Sequence, residues 1–82
     1  MVTERSPVHT VDGREIHAGS VWRHVKNGGS YFVTGIYRHT ETDELMVGYR
    51  RSDSHREFWI RPLNQFMDVG GPNGAFRFVR IR

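Results

Sequence analysis

The sequence predicts a mainly β fold, either a small SH3-like barrel or a bent antiparallel sheet of about five to seven short strands. Short runs rich in aromatic and β-branched residues alternate with turn signals along the chain. No segment carries a long helical period. A single helical turn is expected before the last strand, as in many SH3-like barrels. With 82 residues, the chain can form one small core.

The elements can be placed in order from these signals. Residues 1–7 are interpreted as a loose leader, and residues 8–82 as one domain. Asp12-Gly13 stands between two short alternating arms, which predicts a β-hairpin. Gly35 predicts a bulge within its strand, and the helical turn is placed at residues 63–67. Further strands are expected at residues 20–25, 31–39, 45–50, 57–61 and 76–81.

The composition excludes several classes of protein. The chain has no cysteine, which rules out disulfides, thiolate catalysis and zinc–thiolate sites and fits a reducing compartment. No apolar run approaches the roughly 20 residues of a membrane-spanning helix, so we expect a cytoplasmic protein without membrane association. The formal charge is +3, and eleven of the twelve basic residues are arginine. Arginine is suited to phosphates, carboxylates and aromatic rings.

Symmetric turns would place a group of polar and aromatic residues on one face of the sheet. In that register Tyr37 lies opposite Gly48, and Gly48 lies opposite Trp59. The other residues of this face would be His39, Met46, Arg50, Glu57 and Arg61. The opposite face, interpreted as core, would hold Ile36, Leu45, Val47, Tyr49, Phe58 and Ile60.

Gly48 would then leave a gap between the rings of Tyr37 and Trp59. Such a gap is a predicted seat for a planar, anionic ligand, held by stacking and by charge-assisted hydrogen bonds. The alternative is a solvated sheet face with an Arg50–Glu57 ion pair of little net value. A register slip of one residue would exchange the two faces.

Signals for catalysis and metal binding are weak. The five histidines are scattered without the spacing of a metal site. No serine lies in a nucleophile elbow, and no glycine-rich loop has a phosphate-binding signature. His39 and Glu41 form a candidate acid–base pair, but a structural hydrogen bond across the turn is the favoured interpretation. We therefore predict a protein that is not an enzyme and carries neither a metal nor a cofactor.

Three blocks of the sequence resemble a known family. They are Trp22-Arg23-His24, Arg38-His39-Thr40-Glu41-Thr42, and Trp59-Ile60-Arg61-Pro62-Leu63 followed by Phe66. In this order the blocks resemble domain-of-unknown-function family 1653, a family of small bacterial and phage domains, over about residues 18–67. The resemblance supplies no known activity. It implies that the polar groups of the second block belong to a family motif, which favours a binding role.

These observations favour a non-enzymatic module that binds a small anionic, nucleotide-like ligand. The predicted stacking residues are Trp59 and Tyr37, on either side of Gly48. Phage members of the family suggest, by analogy, a protein that sequesters a host immune signalling nucleotide. The predicted polar contacts are Arg23, Arg38 and Arg61 to phosphates and His39 and Glu41 to sugar or base edges, with His24 included from the first block.

Two other functions stay open at this point. A nucleic-acid-binding SH3-like barrel would use the C-terminal arginines, at Arg77, Arg80 and Arg82, to track a phosphate backbone. A protein-interaction adaptor would use the aromatic groove, as SH3-like domains bind proline-rich peptides. Because small cores often gain stability by association, a homodimer or higher homo-oligomer is expected.

Overall fold

The computed structural model describes residues 8–82, so the leader predicted at residues 1–7 lies outside the described residues. The described chain is mainly β, as predicted. It forms a two-stranded and a five-stranded sheet, both antiparallel, with one short helix before the last strand. The elements are β1 (His9–Val11), β2 (Arg14–Ile16), β3 (Val21–His24), β4 (Ser30–Arg38), β5 (Leu45–Arg51), β6 (Trp59–Pro62), α1 (Leu63–Phe66), a 3-10 turn (Pro72–Gly74) and β7 (Phe78–Arg80).

The β1–β2 hairpin forms at the predicted Asp12-Gly13 turn. Both residues have positive φ, 51° at Asp12 and 78° at Gly13, as a type I′ turn requires. The Arg14 guanidinium donates hydrogen bonds to the backbone carbonyls of Phe78 at 2.9 Å and Met67 at 2.8 Å. These bonds fasten the hairpin to the core.

The larger sheet has the strand order β6-β5-β4-β3-β7, so β6 and β7 are its edges. A bulge at Thr34, next to the predicted Gly35, shifts the pairing of β4 with β5. A bulge strengthens the local twist, and side chains from both edge strands meet over one face, which we call the inner face. There the ring of Tyr31 lies 6.1 Å from Trp59 of β6 and 5.8 Å from Phe78 of β7. No barrel closes within residues 8–82, so the bent-sheet alternative is confirmed.

Helix α1 covers part of the inner face and completes the core. Phe66 stacks on Phe78 with ring centroids 4.1 Å apart and an interplanar angle of 6°. Trp22 packs edge-on against Phe66 at 5.6 Å, and its indole N–H donates to Ser20 Oγ at 2.9 Å. The buried hydrophobic residues are Ile16, Trp22, Tyr31, Val33, Val47, Tyr49, Leu63, Phe66, Met67 and Phe78.

The predicted pairing of β5 with β6 is wrong by one residue. Trp59 lies opposite Tyr49 rather than Gly48, and Ile60 lies opposite Gly48. Because side chains alternate between the faces of a strand, this single step turns Trp59 and Arg61 to the inner face.

The connection between β5 and β6 explains this difference. It spans residues 52–58 and is not a tight symmetric turn. The Arg50 guanidinium donates hydrogen bonds to three carbonyl oxygens of residues 51–54, which fix the start of this loop. Phe58 and Ile60, which were predicted in the core, are instead 61% and 60% exposed on the opposite, outer face.

The pairing of β4 with β5 differs from the prediction by two residues. Tyr37 lies opposite Met46, because the turn closes earlier through a 2.7 Å bond from His39 N–H to the Glu44 carbonyl. A shift of two residues keeps each side chain on its predicted face. Val47 therefore remains in the core, where it is fully buried.

Candidate functional site

A pocket of about 260 Å³ opens on the part of the inner face that α1 leaves uncovered. We call it the inner-face pocket. Four of its residues are aromatic and three are polar. The aromatic residues are Tyr31, Tyr49, Trp59 and Phe78, and the polar residues are His24, Asn27 and Arg61.

Strand pairing brings these side chains together from five strands. Residues directly opposite each other in an antiparallel pair share a face, as His24 and Phe78 do across β3 and β7. Tyr49 and Trp59 form the corresponding pair across β5 and β6. Asn27 comes from the β3–β4 turn, where its side-chain oxygen accepts a backbone N–H at 2.7 Å. The pocket is therefore built on paired strands and on a turn held by its own hydrogen bonds.

One ring of the aromatic wall is open to solvent. Trp59 is 37% exposed, whereas Tyr31, Tyr49 and Phe78 are 9%, 7% and 1% exposed. Tyr31 and Tyr49 stand edge-to-face with centroids 5.8 Å apart, and Trp59 lies 6.0 Å from Tyr49. Trp59 is thus braced by its neighbours and still offers a surface on which a planar group can stack.

The two tyrosine hydroxyls of the pocket accept hydrogen bonds from neighbouring side chains. Tyr49 Oη accepts from Arg61 Nε at 3.4 Å, and Tyr31 Oη accepts from Asn27 Nδ2 at 3.4 Å. A phenol can accept and donate at the same time. Each hydroxyl therefore keeps its own proton available for another acceptor.

His24 is also arranged as a donor. Its Nδ1 accepts the backbone N–H of Asn27 at 3.3 Å, so the neutral ring carries its proton on Nε2. Burial, followed by the nearby charges of Arg77, Arg61 and Lys26, lowers the pKa of the His24 imidazole below its ordinary value of 6.5. At neutral pH the free protein therefore holds a neutral His24 with an Nε2–H donor.

The charge of the pocket favours an anion. Its lining contains Arg61 and no acidic side chain, and the Nη groups of Arg61 form no hydrogen bond within residues 8–82. Aromatic cages also bind quaternary ammonium groups, but a cation here would meet the guanidinium at close range. The available donors are Nε2–H of His24, the hydroxyls of Tyr31 and Tyr49, and Nη of Arg61.

Three of the nine predicted site residues meet in this pocket, namely His24, Trp59 and Arg61. The prediction missed the other four lining residues. A register shifted by one residue puts Tyr49 beside Trp59. The sequence could not indicate this register, because it depends on the length of the loop at residues 52–58. The missed residues are Asn27, Tyr31, Tyr49 and Phe78.

The ring of Tyr37 lies over Gly48, and a second pocket of about 260 Å³ opens beside it on the outer face, lined by Tyr37, Gly48 and Trp59 together with Thr34, Phe58 and Ile60. A Cβ on Gly48 would lie 2.7 Å from Tyr37 Cε2, and one on Gly35 would lie 2.5 Å from Tyr37 Oη. The Tyr37 side chain therefore lies flat over two glycines on the outer face. Trp59 is paired with Tyr49 on the inner face but also lines the outer-face pocket with Tyr37, so the predicted stacking between these two rings stays a prediction.

The Arg38-His39-Thr40-Glu41-Thr42 block builds a turn rather than a wall of the pocket. Arg38 donates to the Asp43 carbonyl at 2.7 Å and lies 3.4 Å from the Asp43 carboxylate. His39 Nδ1 accepts the backbone N–H groups of Glu41 at 3.1 Å and Thr42 at 3.3 Å. Tyr31, which lines the pocket, is near the start of β4, whereas this block is at the end of the same strand. The seven residue steps from Tyr31 to Arg38 span roughly 23 Å of strand. The structure does not bring these side chains to the site.

The remaining predicted contact, Arg23, is exposed and alternates with His24, so it points to the outer face. Within residues 8–82, no group of three or more His, Asp or Glu side chains is placed to hold a metal ion. No helix in this part of the chain is long and apolar enough to cross a membrane.

Comparison with known proteins gives one match. No curated protein and no solved structure matches the chain significantly. A family model described as "Protein of unknown function (DUF1653)" matches residues 20–79, a range that includes every residue of the inner-face pocket and leaves the β1–β2 hairpin outside. The match covers most of the sequence, and the chain belongs to this family.

Proposed function

We propose that this protein is a non-enzymatic binding module for a small anionic, nucleotide-like ligand held in the inner-face pocket. The observation that carries the proposal is the polarity of the pocket. Its hydroxyls and its histidine use their acceptor atoms within the protein and leave donors free, beside an arginine and without a carboxylate. A pocket of this kind stabilises negative charge.

These donor groups are expected to contribute substantially to the free energy of anion binding. A hydrogen bond to a charged group contributes about 1.5–3 kcal/mol, and charge-assisted bonds from arginine to phosphate are among the strongest in proteins. Because the aromatic rings around the donors exclude part of the solvent, the pairing is screened less than on an open surface.

Trp59 supports the nucleotide-like part of the proposal. Its exposed ring lies next to the donors, so a planar base attached to a bound anion can stack on it. Stacking of a base on an aromatic side chain contributes about 1–3 kcal/mol. An inorganic anion alone would leave this surface unused.

A binding role fits the chemistry better than catalysis. The pocket contains no serine, threonine, lysine or carboxylate, and the acceptor nitrogen of its one histidine, His24, is already bonded to the backbone N–H of Asn27. A protein of this kind acts by holding its ligand, either to sense it or to sequester it, and we propose a cytoplasmic location, where nucleotides are made. Sequestration of a signalling nucleotide, as suggested for phage proteins above, is one form of this proposal.

Mass spectrometry of small molecules released from the purified protein tests the proposal, followed by a thermal-shift screen of nucleotides. We expect an anionic molecule with an aromatic ring to be retained and to raise the melting temperature with increasing concentration. Arg61→Gln should retain much less of this molecule than the wild type, while Arg38→Gln serves as the matched control. Retention by Arg61→Gln equal to that of the wild type, or a released ligand that is cationic or uncharged, would contradict the proposal.

Salt dependence separates this function from nucleic-acid binding. A single anion neutralised by few charges should give a shallow dependence, whereas binding along a DNA or RNA backbone weakens steeply with salt. Tight, steeply salt-sensitive binding of random oligonucleotides would favour the nucleic-acid alternative.

A further inference from the structure

We propose that the inner-face pocket takes a terminal phosphate, so that the ligand is a nucleoside monophosphate or another nucleotide that ends in a phosphomonoester. The inference rests on the proposed function and narrows it. It excludes ligands whose phosphates are all internal diesters, such as cyclic dinucleotides.

The number and type of donors point to a phosphomonoester. Four residues offer a free donor to the same pocket, from an imidazole, two phenols and a guanidinium. A carboxylate and a phosphodiester can also accept several hydrogen bonds through two oxygens, but each carries only one negative charge. A terminal phosphate has three oxygens and carries about −1.5 to −2 charge at pH 7, so it can accept from all four donors.

The position of the donors indicates which part of the bound ligand lies deepest in the pocket. Tyr31 and Tyr49 are almost fully buried, at 9% and 7% exposed, and their hydroxyls bond to Asn27 and Arg61 of the pocket lining. Trp59 is the exposed ring at the margin of the pocket. The arrangement fits a phosphate among the hydroxyls and a nucleoside lying outward on Trp59.

The size of the pocket agrees with one phosphate and part of one nucleoside. Its volume of about 260 Å³ lies below the range of about 300–1,000 Å³ that is usual for sites enclosing a whole drug-sized ligand. A cyclic dinucleotide would have to leave most of both nucleosides outside a pocket of this volume.

The charges around His24 predict that phosphate binding takes up a proton. Arg61 lines the pocket with His24, and Arg77 and Lys26 are the other charged groups that act on its ring. These cations favour the neutral imidazole in the free protein. A phosphate dianion next to Nε2 reverses that preference, because an opposite charge favours the charged form of histidine.

Isothermal titration calorimetry of the ligand-free protein tests the inference. The probes are the four common nucleoside 5′-monophosphates, their nucleosides, a 3′,5′-cyclic monophosphate, a cyclic dinucleotide and inorganic phosphate. We expect at least one 5′-monophosphate to bind about a hundredfold more tightly than its nucleoside and about tenfold more tightly than its cyclic monoester analogue. Its affinity should rise as the pH falls from 7.5 to 6, with net proton uptake seen in buffers of different ionisation enthalpy.

Two phenylalanine variants make the test specific. Tyr49→Phe and Tyr31→Phe remove one hydroxyl each and keep the ring that packs in the core, so folding can be checked by melting temperature. Each should weaken the 5′-monophosphate roughly tenfold, while Tyr37→Phe, on the outer face, should change nothing.

The outcomes separate the two proposals. Tight binding of the cyclic dinucleotide without binding of any monophosphate would overturn this inference and leave the proposed function standing. Inorganic phosphate that binds as tightly as the best monophosphate would also overturn it, because Trp59 would then add nothing. No binding of any anionic probe would overturn both.

Discussion

At the scale of single residues, the chain uses arginine and histidine in two different ways. Arg38 and His39 form hydrogen bonds to the backbone of the turn that follows β4. Arg38 also forms an ion pair with Asp43, and these two side chains are 56% and 82% exposed. Arg61 and His24 keep donors free inside a partly enclosed pocket. Residue type alone does not distinguish the two pairs, but their position does, because only Arg61 and His24 line the inner-face pocket.

The first prediction compares these two arginines. Arg61→Gln should weaken ligand binding by about 1.5–3 kcal/mol, roughly ten- to a hundredfold, because it removes a charge-assisted hydrogen bond. Arg38→Gln should leave affinity unchanged and lower the free energy of unfolding by at most about 1 kcal/mol, since its ion pair is exposed. Calorimetry for binding and urea unfolding for stability measure both. Equal losses of affinity would show that the turn contributes to the site.

At the scale of elements, the outer face of the sheet is shaped by a tyrosine lying over two glycines. Any side chain on Gly48 would displace the ring of Tyr37, with Thr34 Oγ1 also only 2.9 Å from the added Cβ. Tyr37 is 49% exposed, so its ring can swing into solvent. The glycine is explained by this packing and requires no ligand.

The second prediction follows from this packing. Gly48→Ala should lower the free energy of unfolding by about 1 kcal/mol, the lower end of the range for overpacking, and leave ligand affinity unchanged. Urea unfolding and calorimetry on the same preparation would measure both effects. A loss of affinity with unchanged stability would restore the original interpretation of Gly48 as the floor of a site.

The third prediction concerns the β1–β2 hairpin, which lies outside the residues that the family model matches. Arg14 connects it to the carbonyls of Met67 and Phe78, and its guanidinium lies 3.6 Å from the centre of the Phe76 ring. Arg14→Met keeps the aliphatic stem but leaves two carbonyls of buried residues without this donor. It should lower the free energy of unfolding by about 1–3 kcal/mol.

Arg23→Met, at an exposed position on the outer face, is the matched control for the hairpin variant. A surface change of this kind usually stays within about 0.5 kcal/mol. If Arg14→Met is equally mild in thermal and urea unfolding, the hairpin is not fastened by these bonds.

Most elements could be predicted from local sequence, whereas the site could not. The Asp12-Gly13 hairpin and the bulge near Gly35 are local effects of backbone preference, and the sequence shows them directly. The faces of β6 depend on a seven-residue loop, spanning residues 52–58, whose course is set by hydrogen bonds of Arg50. No periodicity in the sequence reports such a loop, and one residue of register decided whether Trp59 faced the core or the solvent.

At the scale of the whole molecule, the core and the candidate site share residues on the inner face of the sheet. Tyr31, Tyr49 and Phe78 belong both to the buried core and to the pocket lining. The formal charge of +3 adds a general attraction for anions. The proposed ligand binding would therefore depend on rings that also stabilise the fold.

The fourth prediction is the pH dependence of stability in the ligand-free protein. The pKa of His24 is lowered in the folded state, chiefly by burial, so the unfolded chain binds its proton more readily. The stabilisation from neutral His24 is fully present above its ordinary pKa of 6.5 and is lost as the pH falls through the folded-state value. Wild type should therefore lose stability more steeply than His24→Gln between pH 7 and pH 5 in urea unfolding. Parallel curves would show that His24 titrates alike in both states.

The most direct test of the anion-binding pocket is an NMR titration of ligand-free protein, read at the indole N–H signals of its two tryptophans. Trp59 lines the pocket, whereas Trp22 is fully buried and its indole is bonded to Ser20, so Trp22 is an internal reference. With a panel of nucleoside 5′-monophosphates and a cyclic dinucleotide, we expect a saturable shift at Trp59 for at least one of them and none at Trp22. Arg61→Gln should raise the ligand concentration needed for a half-maximal shift roughly ten- to a hundredfold, whereas Arg38→Gln should leave it unchanged. An unmoved Trp59 signal across the whole panel, or a shift confined to the turn of residues 39–44, would contradict the account.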